Sequence, residues 1–191
     1  MDEEKLLCEE VQFDEMESFE HTRLKPLSIA LAVSGDGKRI LDAQVGVLHY
    51  KGPLASLAMR KYGPRIDTSR EARARTLKSI ERVVSKKGAL NVITDAKPQY
   101  RSELDYMFQG KLIFNHVTVS NEDNQVRHAT NPTLRKNVGD LMFWLNHIAA
   151  RIRHDLSRMM RKVWTTTKIL ERLQAHLNLF IAYYNDYQLS F

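Results

Sequence analysis

The tetrapeptide Ser34-Gly35-Asp36-Gly37 sits between two apolar runs, residues 27–33 and 39–47. Glycine flanking an aspartate in so short a link is a strong hairpin signal, so the two runs are predicted to pair antiparallel. A third strand is predicted at 9–19, set off from the first run by Arg23-Leu24-Lys25-Pro26. Three strands joined by short turns make a meander, and that start excludes an all-helical chain.

From there the pattern alternates. Residues 49–69, with Lys51-Gly52-Pro53 and Tyr62-Gly63-Pro64, read as an exposed connection with one helical turn. A helix is predicted from 70 to about 86, capped by Ser69, striped by Leu77, Ile80, Val83 and Val84, and ended by Gly88. A fourth strand at 89–95, a short helix from Pro98 to Phe108 and a fifth strand at 112–119 follow. Residues 120–138 are polar and turn-rich, which predicts a second exposed loop. A long helix is expected from about 139 to 162, because Leu141, Leu145, Ile148, Ile152, Leu156 and Met159 recur at three- and four-residue steps. A last helix, 168–188, carries Leu173, Leu177, Phe180, Ile181 and Tyr184, so that 139–188 holds two C-terminal helices.

At 191 residues the chain fits one domain, preceded by an acidic tail at 1–8. The single cysteine, Cys8, excludes a disulfide framework and any cysteine-rich zinc cluster, and it suits a reducing cytoplasm. The acidic start is no signal peptide, and no run approaches the 18 apolar residues of a membrane span. Net charge is +6, unevenly spread: residues 1–20 hold one Lys against nine Asp/Glu, and residues 151–172 hold seven Lys/Arg against Asp155 and Glu171. Such a basic segment fits a polyanion binder, and it equally fits a solvated helix face.

The order β-β-β-α-β-α-β-α-α describes an α/β fold: a mixed five-stranded sheet, three antiparallel strands and then βα units, flanked by helices. This is the ribonuclease H-like arrangement, with the first strand central and the fourth beside it. Asp14 and Asp95 would then lie on neighbouring strands. Two close carboxylates repel unless a cation neutralises them, and Mg²⁺ takes one or two carboxylates together with phosphate oxygens. A pair of such ions supports in-line displacement at phosphorus. The long helix offers Asp140, Asn146 and His147 as further ligands. Asn146 is a weaker donor than a carboxylate and on periodicity alone reads as a helix-surface amide, and histidine is a poor ligand for Mg²⁺.

The sequence words around these residues resemble the catalytic core of short bacterial insertion-sequence transposases of the DDE class. They are Phe13-Asp14-Glu15-Met16-Glu17-Ser18-Phe19, then Ile93-Thr94-Asp95, then Leu145-Asn146-His147 leading into Arg153-His154-Asp155-Leu156-Ser157-Arg158-Met159-Met160-Arg161-Lys162-Val163-Trp164. The match covers about residues 9–186. The resemblance implies that Asp14 and Asp95 take the first two catalytic, metal-binding positions and that the third, usually glutamate, falls on Asn146. It further implies two Mg²⁺ ions, with Mn²⁺ able to substitute, and double-stranded DNA, both element ends and target, as partner. Arg153, Arg158, Arg161 and Lys162 are expected on the phosphate backbone. Trp164 either stacks on a base or seals the core. Relatives begin with a zinc ribbon or helix-turn-helix, so a separate end-recognition module or a truncated copy is expected here. A homodimer on DNA and a cytoplasmic, nucleoid-associated location complete the expectation. Two alternatives stand beside it: a non-catalytic DNA-binding remnant, and a ribonuclease H-like nuclease.

Overall fold

The computed structural model describes residues 8–83, 89–119, 140–160 and 169–188. Five strands, β1 (Glu10–Phe19), β2 (Pro26–Ser34), β3 (Ile40–Val47), β4 (Ala89–Asp95) and β5 (Ile113–Val119), form one mixed sheet in the order β3-β2-β1-β4-β5. The meander β1-β2-β3 is antiparallel, while β4 runs parallel to both β1 and β5. The first strand is central and the fourth lies beside it, as the element order predicted.

Period-two alternation on β1 sorts its side chains between two cores. Val11 and Phe13 face one cluster, shared with α2 (Ser69–Val83) and α3 (Pro98–Phe108) through Leu77, Ile80, Tyr100, Leu104 and Phe108. Met16 faces the other, built from Leu27, Ile29 and Leu31 of β2 with Leu145, Ile148 and Ile152 of α4 (Phe143–Asp155) and Leu173, Leu177 and Phe180 of α5 (Leu170–Gln188). The sheet is thus a middle layer with helices on both faces. Cys8 is buried at the start of β1, its Sγ–H donating to the Glu10 carbonyl at 2.8 Å.

The edge strand β3 is protected by side-chain amides of α5. Gln174 accepts from Val45 N–H at 2.8 Å and donates to Ala43 O at 2.7 Å, and Asn185 accepts from Ile40 N–H at 2.9 Å and donates to Ile40 O at 3.0 Å. Eleven residues apart, the two amides stand three turns along one helix face and satisfy backbone groups that an edge strand otherwise leaves open.

Some boundaries differ from the sequence reading. The helix expected to run to 162 ends at Asp155. Leu156 is extended and a 3-10 turn follows at Ser157–Met159, so the three- and four-residue apolar spacing continues although the helix does not. Leu141, expected on the buried stripe, is 47% exposed. The connection at 49–69 holds a two-turn helix, α1 (Ala55–Tyr62), which buries Ala58. Ser69 is not the cap of α2: the Asp67 carboxylate accepts both its N–H (2.9 Å) and its hydroxyl (2.6 Å). The loop at 120–138, the acidic tail up to residue 7, and Val84 and Gly88 lie outside the described residues.

The β2–β3 turn locks α4 in place. Gly37 has φ +69°, a left-handed conformation, and a Cβ there would overlap the Trp144 ring. Gly37→Ala is therefore expected to cost about 2–4 kcal/mol, combining left-handed backbone strain with overpacking, as measured by equilibrium urea unfolding.

Candidate active site

β4 stops at Asp95 while β1 continues to Phe19, and the ladder between them covers Glu10–Phe13 against Asn91–Thr94. Asp14 and Asp95 each follow directly on the last paired residues, Phe13 and Thr94. The gap beyond is filled from α3, which Pro98 opens at its first turn. Lys97, just ahead of that helix, puts its Nζ 2.9 Å from Asp14 Oδ1, 3.5 Å from Asp95 Oδ2 and 3.8 Å from Glu15 Oε2. Its backbone N–H also donates to Asp95 Oδ1 at 3.2 Å. One ammonium thus reaches both aspartates, so the pair expected from sequence is brought together.

Tyr100 stands behind this pair. Its ring is fully buried, packed edge-on against Phe13 at 5.2 Å, and its hydroxyl donates to Asp14 Oδ1 at 2.9 Å while accepting from Lys97 Nζ at 3.0 Å. Burial first, and then the Asp14, Glu15 and Asp95 carboxylates, push the phenol far above its ordinary range, so it remains a neutral donor. Burial and the neighbouring Asp14 also raise the Asp95 carboxyl, against the opposing pull of Lys97. For Lys97 the balance is reversed: burial disfavours the charge, but Asp14, Asp95 and Glu15 outweigh it and raise the ammonium.

A second cation lies one layer deeper. Arg73 of α2 grips Glu103 of α3 with Nε at 2.8 Å and Nη2 at 2.7 Å, and its Nη1 donates to Glu15 Oε1 at 3.1 Å. Glu15 Oε1 also accepts from Ser28 Oγ at 2.6 Å. Arg73, Glu15 and Glu103 tie α2, β1 and α3 together directly beneath Asp14, with only 9% of the Arg73 side chain exposed.

The donor set can be tested against a divalent ion. Four carboxylates (Asp14, Glu15, Asp95, Glu103) meet two cations (Lys97, Arg73), which leaves two formal negative charges. Two of those carboxylates, Asp14 and Asp95, are partly open to solvent, with side-chain exposures of 23% and 32%. Hard oxygen donors, an uncompensated charge of two and solvent access fit Mg²⁺ or Mn²⁺, for which one or two protein carboxylates suffice when phosphate oxygens complete the shell. Among the described residues no group of three or more His, Cys, Asp or Glu side chains gathers as a closed metal cage.

Asn146 is exposed on α4, and among the described residues no hydrogen bond or ion pair joins it to either aspartate. Its neighbour Leu145 donates its N–H to Gln12 Oε1 at 2.9 Å, while Met159 Sδ meets Ser18 Oγ at 3.9 Å, so this part of the chain runs along β1 from Gln12 toward Ser18. Arg153, half-buried, and Arg158, in the 3-10 turn, both have partners, while Arg161, Lys162 and Trp164 lie outside the described residues.

Sequence reasoning missed Lys97, Tyr100, Arg73 and Glu103. One signal was available: Arg73, Leu77 and Ile80 share helical spacing, as do Tyr100, Leu104 and Phe108, which puts a guanidinium and a phenol on apolar stripes. No protein-family model matches the chain, and no curated protein matches its sequence.

Proposed function

We propose that this chain is the catalytic core of a DDE-class transposase on a ribonuclease H-like sheet, performing metal-dependent phosphoryl transfer on double-stranded DNA. The observation that carries the reading is the meeting of Asp14 and Asp95 on adjacent parallel strands, with excess negative charge and solvent access. Strand order β3-β2-β1-β4-β5 with helices on both faces agrees with that fold. Bound divalent metal would polarise the phosphate and activate the attacking oxygen. The chain's own part is positional. Asp14 and Asp95 supply ligand oxygens, Tyr100 orients the Asp14 carboxylate, and the Lys97 backbone N–H orients that of Asp95. Arg73 holds Glu15 back from the opening.

Element ends and target DNA are the proposed substrates, Arg153, Arg158, Arg161, Lys162 and Trp164 the proposed DNA contacts, and a homodimer the working form. Among the described residues no helix is long and apolar enough to cross a membrane. The test is cleavage and joining of terminal-repeat DNA with Mg²⁺ or Mn²⁺. Strand nicking or joining that disappears in Asp14→Ala supports the reading. Absence of both products from wild-type protein, with Asp14→Ala indistinguishable from it, overturns the reading.

Asn146, a neutral amide where the resemblance implies a glutamate, favours one second reading, a DNA-binding remnant without turnover. Both readings predict salt-sensitive binding, with log K falling by about 0.9 per neutralised phosphate for each tenfold rise in salt. Only the enzyme adds metal-dependent cleavage.

A further inference from the structure

We infer that Lys97 is an exchangeable counter-cation: its ammonium fills the cation position between Asp14 and Asp95 in the metal-free protein, and it withdraws when a divalent ion binds. The inference rests on the metal-dependent reading above and adds how the site is held before metal arrives.

The geometry carries it. Nζ touches Asp14 Oδ1 at 2.9 Å and reaches Asp95 Oδ2 at 3.5 Å, so it lies among the same oxygens that a divalent ion would draw to about 2.1 Å. Two cations cannot share that space without strong repulsion, so metal binding becomes cation exchange. The side chain is built to leave. It is 34% exposed, and its ammonium is a point charge on a flexible four-carbon stem.

What remains behind keeps the site in shape. The Lys97 backbone N–H donates to Asp95 Oδ1 at 3.2 Å and the Tyr100 hydroxyl to Asp14 Oδ1 at 2.9 Å, and the ammonium is the donor in neither bond. The two carboxylates therefore keep their orientation during the exchange. Arg73 has no such freedom: its guanidinium is almost fully enclosed and fixed on two carboxylates, so the deeper cation is structural and Lys97 is the replaceable one. Once displaced toward solvent, the ammonium stands at the rim of the site, where an anionic phosphate would arrive.

The experiment is calorimetric titration of Mn²⁺ into the full chain, for wild type, Lys97→Met, Lys97→Gln and Lys97→Arg, with thermal melting of each in EDTA. Removing the ammonium is expected to tighten Mn²⁺ binding at least tenfold in Met and Gln variants. The same two variants should melt below wild type in EDTA and recover with saturating Mn²⁺. Lys97→Arg, which keeps the charge in a more rigid fork, should bind Mn²⁺ no tighter than wild type. Equal or weaker Mn²⁺ affinity in both neutral variants overturns the inference, as would melting in EDTA unchanged from wild type. Cleavage assays separate this from the functional reading. Tighter metal binding without cleavage by any of the proteins keeps the counter-cation and removes the transposase. Wild-type cleavage with unchanged metal affinity in the neutral variants does the reverse.

Discussion

Asparagine in place of Asp95 is expected to abolish the proposed metal-dependent strand cleavage, yet to leave the protein at least as stable as wild type at pH 7. The catalytic loss follows from replacing a carboxylate ligand by a neutral amide. Metal-centred charge stabilisation amounts to several kcal/mol, so a fall of about 10³-fold or more in rate is expected from single-turnover nicking assays. Asn146→Ala is expected to lose less, about 10–100-fold, within the range of a supporting contact. A larger loss at Asn146 than at Asp95 would sink the two-aspartate description of the site.

The stability half of the prediction comes from linkage. Burial and Asp14 raise the Asp95 carboxyl above its unfolded value, so the native state holds that proton more tightly. Stability therefore falls as pH rises from the ordinary aspartate range through the raised value, and the full cost applies above it. Below the ordinary range both states are protonated and the cost is absent. Asp95→Asn removes a cost present at pH 7 and absent near pH 3, and its amide oxygen still accepts from the Lys97 N–H. Urea unfolding in EDTA at the two pH values reads the difference directly. A variant that is less stable than wild type at pH 7 would contradict the charge balance described for the site.

The second large effect is at Arg73. Methionine there fills similar volume but abandons Glu15 and Glu103, whose side chains are only 9% and 16% exposed. Breaking a buried pair by removing one partner typically costs about 3–5 kcal/mol; here Glu103 loses its guanidinium partner and Glu15 keeps only the more distant Lys97 ammonium, at 3.8 Å. Urea unfolding at pH 7 should show a loss of that size, undiminished in high salt because the pair is enclosed. Arg73→Lys should recover only part of it, since an ammonium cannot reproduce the two-pronged grip on Glu103. Activity should fall as well, because Glu15 directly follows Asp14 and Arg73 anchors it.

Much of the scaffold was readable because its signals are local. Gly35 and Gly37 fix a hairpin, Pro98 opens α3, and β4 and α3 occupy the spans that their patterns predicted. Strand order followed from the order of elements, and with it the pairing of Asp14 with Asp95. What was not readable depends on tertiary placement. Lys97 and Tyr100 acquire their roles only because β4 ends one rung beyond the ladder and α3 turns back over that end. Arg73 looks like one more helix charge until Glu15 and Glu103 converge on it. The end of α4 was missed for another reason: Leu156 and Met159 keep facing the core after the helix stops, so periodicity carries no mark of the break.

Cys8 has a practical use. It is the only thiol in the chain, buried at the head of the strand that carries Asp14, and burial raises its proton affinity above that of a free cysteine. A maleimide or disulfide reagent needs an exposed thiolate, so labelling has to wait until the beginning of β1 peels away from its neighbours. Labelling kinetics at this one atom therefore serve as a built-in clock for detachment of the central strand, in an unmodified protein and with no background from any second site.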